Sequence, residues 1–106
     1  MRYAPINITT SGDNTIVASI SFRMIRVLSY VLTTDTAMTV TWKSGSTNLS
    51  GAMNMPANTS LVIPFGPITP MGLVGSLQTN FDEALIINTD TNGNLTGHIS
   101  YIEVAV

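Results

Sequence analysis

Thr36-Ala37-Met38-Thr39-Val40-Thr41-Trp42-Lys43 is the stretch that decides the fold. Met38, Val40 and Trp42 fall at every second position, with Thr39, Thr41 and Lys43 between them. A period of two belongs to a β-strand, whose successive side chains point to opposite faces. The alternation predicts a half-buried strand with Met38, Val40 and Trp42 turned into a core. In that inward phase Trp42 reads as a core residue rather than as a platform for stacking a sugar.

Upstream, residues 24–33 form the most apolar run of the chain. Strict alternation puts Ile25, Val27 and Val31 on one face, and Leu28, Tyr30 and Leu32 on the other. A strand apolar on both faces is either central in a sandwich or covered by a partner. Residues 14–22 alternate through Ile16, Ala18, Ile20 and Phe22, which predicts another half-buried strand. Thr34-Asp35, Ser44-Gly45-Ser46 and Asn92-Gly93 read as turns, the first and last of them as hairpins. Shorter strands are expected over residues 48–55 and 59–65, around Pro56-Ala57-Asn58, and then over 84–88 and 97–106. Residues 66–80 read as a loop stiffened by Pro67 and Pro70, unusually apolar through Ile68, Met71, Leu73, Val74 and Leu77. Residues 1–15 are short of core residues and form a first strand or an extended arm, ahead of a body over 16–106. The sum is an all-β protein of one domain. It is a single two-sheet sandwich of jelly-roll or Ig-like topology, with about seven or eight strands and no helix of note.

Only 9% of the 106 residues are charged, while 44% are hydrophobic; an average soluble protein carries about 25% charge. Thr, Ser and Asn supply the polarity instead. They hydrogen-bond without the desolvation cost of ions, so they are cheaper to cover in an interface. The composition is that of a surface that is mostly covered. There is no cysteine, which excludes disulfides, thiolate nucleophiles and Cys-ligated metals; oligomerisation or docking on a larger body is the remaining route to extra stability. Arg2, Arg23, Arg26 and Lys43 are the only Lys or Arg residues and the net charge is −2. Scattered cations of that number argue against nucleic acid and against anionic membranes. No apolar run reaches the roughly 18–20 residues of a membrane span. The opening residues lack the apolar region of a signal peptide. The expectation is a protein made in a cytoplasm, and used there or carried out in a particle.

The residues that could carry chemistry read as structural. His98 is the only histidine, and a hydrolytic triad needs more than a strand histidine. Asp82 and Glu83 are adjacent, so on a strand they would point apart. Asp90, Asn92 and Asn94 fit the first three ligand positions of a calcium loop. Leu95 and Tyr101 then stand where glycine and glutamate are needed. The sequons at Asn7, Asn48, Asn58 and Asn94 are those expected by chance in a chain rich in Asn, Thr and Ser. No phosphate-loop glycine pattern occurs. The expectation is no enzyme, no cofactor, no metal and no small-molecule substrate.

Three stretches together resemble a known group. They are Ile25-Arg26-Val27-Leu28-Ser29-Tyr30-Val31-Leu32, Val40-Thr41-Trp42-Lys43-Ser44-Gly45-Ser46-Thr47 with Leu49-Ser50-Gly51, and Gly97-His98-Ile99-Ser100-Tyr101-Ile102-Glu103-Val104. Joined by a Pro-Phe-Gly-Pro loop and Glu83-Ala84-Leu85, they are similar to small virion-associated proteins of tailed bacteriophages, some of them capsid decoration (cement) proteins. The resemblance covers roughly residues 24–106. It implies a homo-oligomer, most often a trimer, on the outer surface of an assembled head, with the major capsid protein as partner. Such a protein stabilises the shell by binding its assembled form. The contact is expected on Tyr3, Ile6 and Ile8 of the arm and on Ile68, Met71 and Leu73 of the loop. An extended arm can add as a strand to a partner sheet. The competing class is a carbohydrate- or receptor-binding module of a phage tail or fibre, with Tyr3, Tyr30 and Tyr101 as stacking candidates.

Overall fold

The alternation over residues 36–43 is realised as a central strand in a computed structural model. That model describes residues 2–64, 68–69, 72–73 and 77–105, with backbone alone for 68, 69, 72 and 73. The strands are β1 (Arg2–Ile8), β2 (Gly12–Val17), β3 (Arg23–Thr34), β4 (Met38–Ser44), β5 (Thr47–Asn48), β6 (Met53–Met55), β7 (Thr59–Ile63), β8 (Ile68–Thr69), β9 (Gly72–Leu73), β10 (Leu77–Gln78), β11 (Leu85–Thr89) and β12 (Leu95–Ala105). No helix occurs among the described residues.

Two five-stranded antiparallel sheets form the sandwich. The β1 sheet runs β1-β12-β3, with β7 and β10 both paired to the far edge of β3; the β2 sheet runs β2-β11-β4, with β5 and β6 on β4. The ten strands exceed the expected seven or eight, because β5 and β10 are two-residue additions to the sheet edges. β8 pairs with β9 in a separate ladder, and β10 also lies in what reads as loop. Successive long strands alternate between sheets, so β1, β12, β3 and β7 face β2, β11, β4 and β6. This is the jelly-roll order, which decides between the two topologies the sequence left open. It also corrects two turns. Thr34-Asp35 and Asn92-Gly93 do not close hairpins, since β3 and β4, like β11 and β12, lie in different sheets. Gly93 at one such corner has no room for a side chain: a Cβ there would stand 2.7 Å from Thr36.

The core lies between the sheets. Met38, Val40 and Trp42 of β4 are buried, with Thr39, Thr41 and Lys43 on the outer side, as the alternation requires. Trp42 is fully buried and lies against Tyr30 of the facing sheet, ring centroids 4.9 Å apart at 55°. Its indole N–H has no hydrogen-bond partner among the described residues. Burial pushes the Tyr30 phenol above its ordinary range, and that N–H tempers the rise without meeting hydrogen-bond geometry.

On β3 the structure differs from strict alternation. Ser29 pairs with Ser100 and Val27 with Tyr101, so Leu28 is an extra residue, a β-bulge. The bulge resets the phase. Ile25, Val27, Tyr30 and Leu32 all enter the core, whereas Leu28, although buried, stands outside that cluster. Val31, with alternation restored, is half-buried on the outer side. A second register shift, between Leu85 and Ile86, leaves Ile16 as the extra residue on β2. The inward residue there is Val17, and the strand ends at it instead of continuing to Phe22.

The beginning of the chain is a strand and not an arm. β1 pairs with β12 from Arg2↔Tyr101 to Ile8↔Leu95, and Ile6 and Ile8 are 1% and 3% exposed in the core. Ile6 and Ile8, expected to meet a partner, are used by the protein's own body. Pro5 in the middle of β1 has no N–H to offer, which blunts the free edge against strand addition by another chain.

Two outcomes follow from this packing. Trp42→Ala should destabilise the fold by about 3–5 kcal/mol, as large-to-small changes in cores do, and the native tryptophan fluorescence should resist iodide quenching. Deleting residues 1–10 should abolish cooperative urea unfolding, because it removes a sheet edge together with Ile6 and Ile8. A folded truncated protein would contradict this account of β1.

Candidate functional site

The two outer faces of the sandwich differ in chemistry, and the difference comes from sequence phase. On the β2 sheet, Thr39, Thr41 and Lys43 of β4 alternate outward beside Ile86 and Asn88 of β11 and Asp13 of β2. These groups satisfy one another. Lys43 Nζ stands 3.1 Å from Asp13 Oδ2, Asn88 donates to Asp13 Oδ1 at 2.7 Å, and Thr39 donates to Asn54 at 3.0 Å. The Asn88 and Lys43 hydrogen bonds hold the Asp13 carboxyl below its ordinary range. Apart from Ile86 the surface is a closed polar ladder.

The outer face of the β1 sheet is apolar over much of its area. Register places Pro5, His98, Val31 and Val62 in one row, and Tyr3, Ser100 and Ser29 in the next. Tyr3 is 71% exposed and Val62 59% exposed; Val31, Ile102, Val104 and Met24 are half-buried on the same side. Ser29 and Ser100 hydrogen-bond to each other through their hydroxyls. Polar groups enter at the margins, where Arg26 Nε donates to Gln78 at 2.7 Å, and where Asn7, Thr96, Thr33 and Ser60 form the last row.

The residues expected to grip a partner are therefore separated. Tyr3 lies on this open face. Ile6 and Ile8 are core residues and cannot meet a partner. Met71 lies outside the described residues, as do the side chains of Ile68 and Leu73, whose backbones pair with each other between β8 and β9. Of the proposed stacking tyrosines, Tyr30 is buried, Tyr101 is half-buried and Tyr3 is free.

One exposed feature has no counterpart in the sequence reading. Phe22 and Phe81 project together at one end of the sandwich, ring centroids 6.1 Å apart. Phe22 is 71% exposed with φ 61°, a conformation unfavourable for a bulky residue. Two turns hold it there. The Phe22 N–H donates to Asp82 Oδ1, and the Asp82 N–H donates to Arg23 O at 3.1 Å. The expected strand through Phe22 hid this pair, because alternation assigned the ring to a face instead of a turn.

The groups considered for chemistry brace loops. Glu83 accepts from Ser44 Oγ at 2.7 Å and Asn80 Nδ2 at 2.9 Å. Asp90 Oδ1 accepts the Thr39 N–H at 2.7 Å, and Asn92 Oδ1 the Ser11 N–H at 2.8 Å. His98 is exposed between Pro5 and Val31. No group of three or more metal-ligating side chains occurs among the described residues. Against protein-family models, curated proteins and solved structures, the chain has no match.

The bracing carboxylates set an acid limit. Asp13, Asp35, Glu83 and Asp90 are all held below their ordinary values of 3.8 (Asp) and 4.5 (Glu), chiefly by hydrogen bonds to their charged forms. A carboxylate depressed in the folded state stabilises it above the unfolded pKa and loses that contribution as pH falls through the folded one. The urea midpoint should be flat from neutrality down to about pH 5 and fall steadily below about pH 4. A midpoint that rises on acidification would contradict these bonds.

Proposed function

We propose that this chain is an assembly protein of the capsid-decoration type. In this reading it associates with copies of itself through the outer face of the β1 sheet and sits on the outside of an assembled phage head. The observation that carries the assembly step is the contrast between the two outer faces. One is a polar ladder closed on itself; the other exposes Tyr3, Pro5 and Val62 beside half-buried Val31, Ile102 and Val104. Contiguous apolar surface of that kind marks interaction sites in soluble proteins. Depletion of charge is a mark of interface centres, and on this face the one central polar pair, Ser29 and Ser100, is satisfied internally.

The step from assembly to a capsid rests on the resemblance of residues 24–106 to virion-associated proteins. The mechanism would be added interface: a protein that binds the assembled shell, and not its loosened form, shifts the balance toward the shell. A homotrimer and the major capsid protein are the partners this reading names. No bond is made or broken, so no catalytic role is assigned to any residue.

Sedimentation tests the first step. The native protein should sediment as an oligomer, and Val62→Asp, which places a charge in the apolar row, should sediment as a folded monomer. For the second step, heads lacking the protein should regain resistance to heat when the native chain is added and not when Val62→Asp is added. A native chain that is monomeric in solution and appears as isolated monomers on a head map would overturn the proposal.

A further inference from the structure

The polar margin of the same face ends in an open cleft of about 490 Å³. It lies where β3, β7 and β12 meet their connecting loops, and its walls include Thr33, Ser60, Thr96, Asp35, Asn58 and Asn94. Asp35 and Asn94 form its fixed part. Asn94 Nδ2 donates to Asp35 Oδ2 at 3.0 Å, the Asn94 N–H donates to Asp35 Oδ1 at 3.3 Å, and the Asp35 N–H donates to Asn94 O at 3.4 Å. Thr34, also in the wall, is engaged by Thr36, to whose carbonyl its hydroxyl donates at 2.6 Å. The Asn58 amide and the Thr96 hydroxyl make no hydrogen bond within the described residues, and Thr33 and Ser60 share only a long contact of 3.4 Å.

We infer that this cleft is a binding site for a neutral saccharide. The chemistry of the walls selects the class. No Lys, Arg or His lines the cleft, so an anionic ligand would meet a carboxylate and no counter-charge. The walls combine hydroxyl, amide and carboxylate groups with the methyls of Thr33, Thr34 and Thr96, a mixture that suits the hydroxyl edge and C–H face of a sugar and would leave several polar groups unmatched by a purely apolar ligand. A single carboxylate, already engaged by Asn94 and Thr36, is a poor cradle for a calcium ion, which takes six to eight oxygens. What remains is a ligand that both donates and accepts through several neutral hydroxyls. An amide offers donor and acceptor together, a hydroxyl offers either, and a carboxylate accepts strongly, so adjacent sugar hydroxyls can be met on both sides.

Asn58 occupies a special position in this cleft. Its φ is 59°, a left-handed conformation that asparagine tolerates better than most residues. The turn between β6 and β7 thus fixes the backbone that carries this exposed, unpartnered amide at the mouth of the cleft.

The cleft shares Thr33, Ser60 and Thr96 with the margin of the face proposed to assemble, but the two are read separately, sugar binding by amide shifts and assembly by sedimentation, so either can fail without the other. The probes are glucose, galactose, mannose, rhamnose and N-acetylglucosamine, each titrated to high millimolar concentration into the isotope-labelled full chain, with amide shifts followed by NMR. At least one sugar should shift the amides of Asn58, Ser60, Asn94 and Thr96 in a saturable way. Asn58→Gly, which keeps the left-handed turn and removes the amide, should weaken that sugar by about tenfold, roughly the value of one net hydrogen bond. The same variant should leave the sedimentation coefficient unchanged. No saturable shift with any of the five sugars, shifts confined to another surface, or unchanged affinity in Asn58→Gly would overturn the inference. A saturable response of Asp35 and Asn94 to calcium chloride alone would overturn it in favour of a metal site.

Discussion

Trp42 lies in the slot between two sheets with its ring against Tyr30, and the rest of the molecule is arranged so that this slot stays closed. A small sandwich has one core, and its largest side chain fixes how far apart the sheets stand. Facing strands then supply residues that fill the remaining space, among them Leu85 and Ile87 from one sheet and Ile99 and Leu32 from the other, all fully buried. Every inward position must therefore keep phase with Trp42. The two bulges serve that requirement on long or curved strands. Leu28 stands outside the core cluster while Tyr30 reaches Trp42, and the extra residue at Ile16 lets Val17 turn inward while Ile16 itself packs against the margin of the core.

The jelly-roll connections place demands on the ends of the sandwich. Each corner carries the chain from one sheet to the other, and its backbone groups lack ladder partners. Side chains of Asp, Asn, Ser and Thr take their place: Asp90 receives Thr39, Asn92 receives Ser11, and Asp35 holds Asn94. At the other end Ser44, Asn80 and Glu83 form a similar knot. Many of the hydroxyls and amides that replace charge in the composition are thus bracing for corners. Surface ion pairs contribute little in such a molecule, and two, Arg2–Glu103 and Lys43–Asp13, occur among the described residues.

The proposed assembly rests on the contrast between the outer faces. Both sheets bury one face on the same core, but only the β2 sheet satisfies its other face internally. The β1 sheet keeps its long strands β3 and β12 adjacent, and their outward residues carry Val31, Ile102 and Val104 across the middle of the face. The scarcity of charge over the whole chain is in keeping with a surface meant to be covered. In the proposed assembly, the bound state would contribute stability that a cysteine-free domain of this size cannot draw from disulfides.

The sequence by itself determined the all-β class, the sandwich and the inward set of β4. Those follow from a period-two pattern, which needs no knowledge of partners in space. It also allowed β1 as a strand without deciding for it, since Ile6 and Ile8 alternate correctly but Pro5 and the polar neighbours weaken the signal. Tertiary structure decided the jelly-roll order, because a turn such as Asn92-Gly93 looks the same locally whether it closes a hairpin or crosses between sheets. It decided the phase of β3, because the bulge at Leu28 arises from pairing with Ser100 and leaves no mark in the hydrophobic pattern. It also brought Phe22 to Phe81, and Asn58 to Asn94 and Thr96. Phe22 and Phe81, like Asn58 and Asn94, are distant in sequence, and Asn58 meets Asn94 and Thr96 only because β7 and β12 both pair with β3.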